Sequence, residues 1–214
     1  MSSREAILAR IRAALAALAA PAPAPPPEPP GALFAPIPEA DLLARFEREL
    51  VALRGTLHRA AGWDEARRLV AGLARGPVAL GPGEEVALAT RGLALQETDV
   101  ADADLGITGC DALVAATGSI VLTARSGGGR ALSVLPSRHL VIARRGQLVP
   151  HLADALALVR ARTAPAWPTM TTVITGPSRT ADIEKVLVLG AHGPRELAVV
   201  LVEEPRVHGP GAAG

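Results

Sequence analysis

Tyrosine is absent, and the chain of 214 residues holds only two Phe and two Trp. Proteins that bind single-stranded nucleic acid stack bases on aromatic faces, and those faces are missing here. An excess of one charge is missing too. The 22 Lys and Arg against 21 Asp and Glu leave a formal net charge of +1, with no basic footprint for a phosphate backbone. Cys110 is the one cysteine, so an internal disulfide is impossible, and an iron–sulfur cluster or a Cys-type zinc site lies beyond this chain alone. Beside Gly109 it reads as a small core residue rather than a nucleophile. No apolar run approaches the roughly 20 residues that a spanning helix requires. The Ala- and Leu-rich start imitates a secretory signal, but Arg4, Glu5, Arg10 and Arg12 interrupt it, and the expectation is a cytoplasmic protein with no membrane span.

What the chain does hold is aliphatic: hydrophobic residues make up 49% of it. Ile7, Ile11, Leu15 and Leu18 recur at helical spacing, which predicts an N-terminal helical arm over residues 1–20. From Pro21 to Pro38 prolines are too dense for helix or strand ladder, so residues 21–38 read as an extended linker. The body spans 39–205, and a Gly- and Pro-rich tail, 206–214, follows it. Leu42, Leu43, Phe46, Leu50 and Leu53 mark one helix stripe, with Gly55 as its C-terminal cap, and Trp63 to Leu73 another helix. Strands are predicted at Thr56–Arg59, Val78–Leu80, Ala112–Ala116, Ser119–Thr123, Leu140–Ala143, Thr171–Thr175 and Glu196–Val202, with a helix at Leu148–Arg162. Alternating helix and strand predicts an α/β domain of three layers around a mainly parallel sheet.

Chemistry concentrates in a few turns. Thr175-Gly176-Pro177-Ser178-Arg179-Thr180-Ala181-Asp182 follows a β-rich run and has the composition of a tight turn opening a helix. Gly176 permits close backbone approach, Ser178 or Thr180 can cap, free N–H groups suit an anion, and Arg179 adds a planar fork for carboxylate or phosphate. The same residues also serve as a plain helix cap that needs no ligand, with Asp182 and Glu184 complementing the dipole. Gly190-Ala191-His192-Gly193-Pro194 sets a histidine between glycines, where it could carry a proton or simply bond to backbone. Thr117-Gly118-Ser119 offers small hydroxyls to a pocket, or forms a hairpin turn. Ser126 to Arg130 reads as a loop tip, and Arg138 and His139 as equally suited to surface and function. The five histidines show no local metal-ligand spacing, and no metal site is expected. A nucleophile elbow for Ser-His-Asp hydrolysis is missing as well.

In order, Gly106-Ile107-Thr108, Ala115-Ala116-Thr117-Gly118-Ser119, Leu135-Pro136-Ser137-Arg138-His139, the run Gly176 to Glu184, and Gly190 to Pro194 resemble the LUD-domain family. The resemblance implies a fold similar to that of sugar isomerases, CoA transferases and folate cyclo-ligases, with a pocket above the strand C-terminal ends. It implies a part in oxidising L-lactate to pyruvate, in a three-component system whose other members carry iron–sulfur clusters. This chain would then be the cluster-free subunit, binding a small anionic ligand or its iron–sulfur partners. The family often has an acidic residue immediately before the Thr-Gly; here Ala116 stands there, and that acid–base role does not carry over. From the turns themselves His192 is the candidate catalytic residue, and Thr117, Gly118, Ser119, Gly176, Pro177, Ser178, Arg179, Thr180, Asp182 and Gly193 are the candidate ligand residues. An independent enzyme acting on a phosphorylated or CoA-linked molecule, and a regulatory or scaffold protein, remain open at this point.

Overall fold

The computed structural model describes residues 3–17, 35–181, 187–189 and 193–203, and the chain divides into two units, Met1–Pro36 and Ile37–Gly214. In the first, helix α1 runs Ser3–Ala17, and Ile7 and Ile11 on it are exposed.

The second unit opens on a 3-10 turn, Glu39–Asp41, which leads into α2 (Leu42–Ala52). The expected stripe faces inward. Leu42, Leu43, Phe46 and Leu50 are buried, and full burial of a side chain the size of Phe46 or Leu50 contributes roughly 2 kcal/mol. The helix ends differently from the expectation. The residue in the left-handed region is Arg54 (φ 67), not Gly55, and the Arg54 and Gly55 N–H groups donate to the carbonyls of Val51 (2.8 Å) and Leu50 (2.9 Å). This pair of bonds is a Schellman motif, which satisfies two of the helix's last carbonyls at the cost of forcing a Cβ-bearing residue into a strained region. Arg54→Gly is therefore expected to stabilise the fold by about 1 kcal/mol; an unchanged or lowered urea midpoint would refute this.

Then follow β1 (Thr56–Ala60), α3 (Trp63–Leu73), β2 (Val78–Leu80), α4 (Glu84–Thr90), β3 (Leu105–Thr108), β4 (Ala112–Val114), β5 (Ser119–Thr123) and α5 (Ala124–Gly127). After a 3-10 turn at Ala131–Ser133 come β6 (Arg138–Arg144), β7 (Leu148–Val149), α6 (Leu152–Thr163), β8 (Thr171–Ile174), β9 (Arg179–Ala181), β10 (Leu187–Leu189) and β11 (Glu196–Val202). The helix expected from Leu148 begins only at Leu152. Leu148 and Val149 pair with Leu113 and Val114 of β4, and Pro150, lacking an N–H, ends that short strand.

The central sheet has the order β1-β11-β6-β3-β2, and every adjacent pair is parallel. Its middle strands are apolar on both faces because both faces are covered. On one side α3 and α4 close a core that includes Val70, Val86, Ile107, Leu140, Ile142 and Val200. On the other side, α2 and a second sheet of order β7-β4-β5-β8 pack Phe46, Leu50, Leu113, Ile120, Leu122, Val141 and Val199 together. The outer face of the second sheet is covered by α6, through Ala155 and Val159 against Val114 and Val121. Among the described residues no helix is long and apolar enough to cross a membrane.

Candidate functional site

Because all five central strands run the same way, the sheet has two chemically distinct ends. Of the residues singled out by motif, Thr117, Gly118, Ser119, Gly176, Ser178 and Gly193 lie at the N-terminal end, whereas Ser126 lies at the opposite one. The β4–β5 hairpin turns at Thr117-Gly118, where Gly118 has φ 63, and an added Cβ would lie 2.5 Å from the Leu50 backbone nitrogen on α2. Thr117 Oγ1 lies 2.7 Å from Ser119 Oγ, which lies 2.8 Å from Thr175 Oγ1. Gly176 (φ 86) then presses on Leu53, where an added Cβ would sit 3.0 Å from the Leu53 Cβ. The Ser178 N–H donates to the Pro194 carbonyl at 2.8 Å, and Gly193 lies against the Ser178 side chain. The Arg195 N–H donates to the Ser137 carbonyl (2.8 Å), which fixes this neighbourhood beside the starts of β6 and β11.

The structure thus brings Thr117, Gly118 and Ser119 beside Gly176, and Ser178 beside Gly193. Two glycines among them are accounted for by close packing on α2, and Pro177 is buried. The expected helix after Gly176 is not formed. Arg179–Ala181 is a strand, paired antiparallel with Leu187–Leu189. Local composition suits a helix start, but the ladder partner lies several residues downstream, and the Ser178 N–H that would have faced an anion is already bonded to Pro194. Asp182 and His192 lie outside the described residues.

Arg138 and His139 have clear structural settings. The Arg138 guanidinium caps α3, donating to the Leu73 carbonyl at 3.0 Å and to the Arg75 carbonyl. His139 is 1% exposed, between Gly106 and Leu197 in register, with Nε2 2.9 Å from Thr108 Oγ1. Its Nδ1 has no hydrogen-bond partner among the described residues, and burial pushes the imidazole down to about 4. Cys110 is buried in the core, as its type suggested; its thiol points to Gln147 Oε1 at 3.9 Å, and Gln147 Nε2 donates to the Cys110 carbonyl.

At the C-terminal end of the sheet lies a cleft of about 380 Å³. It is lined by Gly83 and Glu85 at the start of α4, Cys110 and Asp111 after β3, Arg125 on α5 and Arg162 on α6. Glu85 is buried and held by Arg144 at the end of β6, whose Nε lies 3.0 Å from Glu85 Oε1. Arg144 also stacks on Trp63, 4.7 Å from the ring centroid, so its charge is paired on one side and covered on the other. Asp111 Oδ2 accepts from the Thr123 N–H (2.8 Å) and the Ser126 hydroxyl (2.5 Å), and Arg162 Nη1 donates to the Asp111 carbonyl (3.0 Å). Sequence reasoning passed over Asp111, Arg125, Arg144 and Arg162. A usable signal was an acidic residue just past an apolar strand, where α/β sheets bind ligands. Among the described residues no group of three or more His, Cys, Asp or Glu is placed to hold a metal.

Comparison with known proteins adds a second line. Residues 96–202 match the LUD domain. The chain is 34% identical over 181 residues to a lactate utilization protein C from Deinococcus radiodurans, covering 78% of this chain and 82% of that protein. A Macrococcus caseolyticus protein of the same name is 38% identical over 104 residues, or 48% of this chain and 45% of that protein, so the chain spans under half of that relative's length. The crystal structure of a DUF162 family protein from Deinococcus radiodurans superposes with a TM-score of 0.61 at 26% identity, covering 78% of this chain and 99% of that one.

Proposed function

The chain belongs to the LUD domain family, and from that premise we propose that it acts in lactate utilization, as the cluster-free component of a cytoplasmic system that oxidises L-lactate to pyruvate. The observation that carries this reading is the 34% identity to a lactate utilization protein C across 82% of that protein. Chemistry then divides the labour. Converting the hydroxyl carbon of lactate to a ketone releases two electrons and two protons, and the electrons need a carrier. A cluster generally takes four thiolates, whereas this chain has one cysteine, and its thiol is buried against Gln147. Electron transfer therefore falls to iron–sulfur partner subunits, while this chain binds a small anion or the partners themselves.

Deleting the gene from its native host is expected to abolish growth on L-lactate as sole carbon source, with growth on glucose unchanged, and the tagged chain is expected to co-purify with iron–sulfur proteins. Normal growth on L-lactate combined with no cluster-bearing partner would defeat the reading. Complementation with Arg179→Ala and with His192→Ala reports separately whether the two C-terminal motifs serve the activity.

A further inference from the structure

A strand at the edge of a sheet presents unpaired N–H and C=O groups, and folded chains shield such edges with charge, proline, brevity or a covering segment. Of the edges of the two larger sheets, those at β1, β2 and β7 are shielded in one of these ways. β1 carries Arg59, exposed and paired with Glu203. β2 is covered by the segment before β3, because the Val78 N–H donates to the Gln96 carbonyl (2.8 Å) and the Thr98 N–H to the Val78 carbonyl (3.0 Å). β7 is only Leu148–Val149, and Pro150 follows it. The remaining edge, β8, has no charge, proline or cover, and among the described residues no strand pairs with its outer side. We propose that two copies of this chain meet at β8, pairing antiparallel and joining their four-stranded sheets into one.

Backbone bonding identifies the groups that stand free. The Asp111 N–H donates to the Val121 carbonyl (2.8 Å), so Ser119, Val121 and Thr123 of β5 address β4, while Ile120 and Leu122 address β8. The Ala124 N–H, donating to the Met170 carbonyl at 3.2 Å, continues that alternation. On β8, Thr172 and Ile174 therefore turn to Leu122 and Ile120, and the N–H and C=O groups of Thr171 and Val173 turn to the open edge. Val173 lies opposite Val121 and shares its face of the sheet. Ala155 and Val159 of α6 cover Val121, but Val173 stays 42% exposed.

An open ladder is completed by another strand, and two features make that strand a second β8. The first is charge. A two-fold axis sets like residues of the two copies close together, so a charged edge repels itself. From Thr163 to Ser178 the chain has no Asp, Glu, Lys, Arg or His, although 20% of its residues are charged. The second is self-complementarity. Antiparallel pairing centred on Thr172 sets Thr171 of each copy opposite Val173 of the other, so each pair exchanges both of its outward N–H···O bonds and brings two β-branched side chains together. Such a contact is closed, because the same patch serves both copies and no further edge is left to propagate. The inference stands apart from the role in lactate utilization, since self-association and growth are separate readouts.

The test is sedimentation velocity of the purified full chain from about 1 to 100 μM, with a dissociation constant on the order of micromolar expected for a contact of this size. Mass is expected to rise towards that of two chains, and the amides of Thr171 and Val173 to exchange more slowly with solvent at the high concentration than at the low one. Val173→Lys places a charge at the axis and is expected to weaken association by roughly tenfold or more, with the circular dichroism spectrum unchanged. Should that variant fail to fold, Thr171→Lys carries the same expectation. Val51→Lys, at an exposed apolar residue on α2, is the control and is expected to associate like the unmodified chain. The proposal is overturned if the chain stays monomeric throughout, which would leave the edge to a strand from another protein. It is also overturned if the folded edge variant associates as before, if Val51→Lys dissociates the pair equally, or if the Thr171 and Val173 amides exchange alike at both concentrations.

Discussion

Gly118→Ala is expected to lower the stability of the fold by about 3 kcal/mol or more, through two separable effects. Gly118 sits at φ 63, where an L-residue costs about 1–2 kcal/mol. The added Cβ would also lie 2.5 Å from the Leu50 nitrogen and 2.7 Å from the Glu49 carbonyl carbon. These are backbone atoms of a packed helix and have no rotamer by which to yield, so hairpin and α2 must part, loosening the core around Phe46 and Leu50. Gly92 supplies the control. It has a similar φ of 75 with nothing within 4 Å of its would-be Cβ, so Gly92→Ala should cost only the backbone part, about 1 kcal/mol. Urea denaturation of both variants separates the effects. Equal losses at the two positions would show that the approach of the hairpin to α2 carries no energy.

The second large effect is an acid sensitivity centred on His139. The imidazole is fully buried and its pKa is lowered from 6.5 to about 4, because burial penalises the charged form. In the unfolded chain it titrates near 6.5, so between these values the unfolded state binds more protons than the folded one. Stability is thus full above pH 6.5, falls as pH drops through the window, and levels off below about pH 4, with a loss of about 3 kcal/mol from this residue. Acidic groups elsewhere in a chain also contribute to stability over acid pH, so the variant curve matters more than the unmodified curve alone. His139→Gln is expected to flatten the pH dependence between pH 6.5 and 4 by that amount when unfolding free energies are measured across it. Parallel curves for the two proteins would place the imidazole in water rather than in the core.

The same residue shows where reading by local pattern stops. His139 follows Arg138 in a polar-looking pair, and nothing nearby reveals that the strand will be covered on both faces. Covering needs β3 and β11 on either side and the second sheet above, all distant in sequence. The segment Arg179–Ala181 makes the same point in reverse. Its turn-like composition suits a helix start, but pairing with Leu187–Leu189 outweighs that preference, because each ladder bond satisfies groups that an isolated helix start leaves open. Where pattern is strong, it carried. The stripe of α2, the limits of α3, the strand at Glu196–Val202 and the turn at Thr117-Gly118 all follow from side-chain periodicity and turn chemistry.

By its residues alone the chain determined its balance of charge, its lack of thiolates for a cluster, the alternation of helix and strand, and the ordered motifs shared with LUD proteins. Those properties are counted or read within a few neighbouring residues, where spacing and backbone preference act. Only the tertiary structure decided that the motif glycines press on α2 at one end of the parallel sheet, while Asp111, Arg125 and Arg162 meet at the other. They come from the end of β3, from α5 and from α6, and such a meeting depends on which strands pair and which faces are buried. That choice is settled by the cooperative burial of the whole core, which no short stretch of sequence expresses.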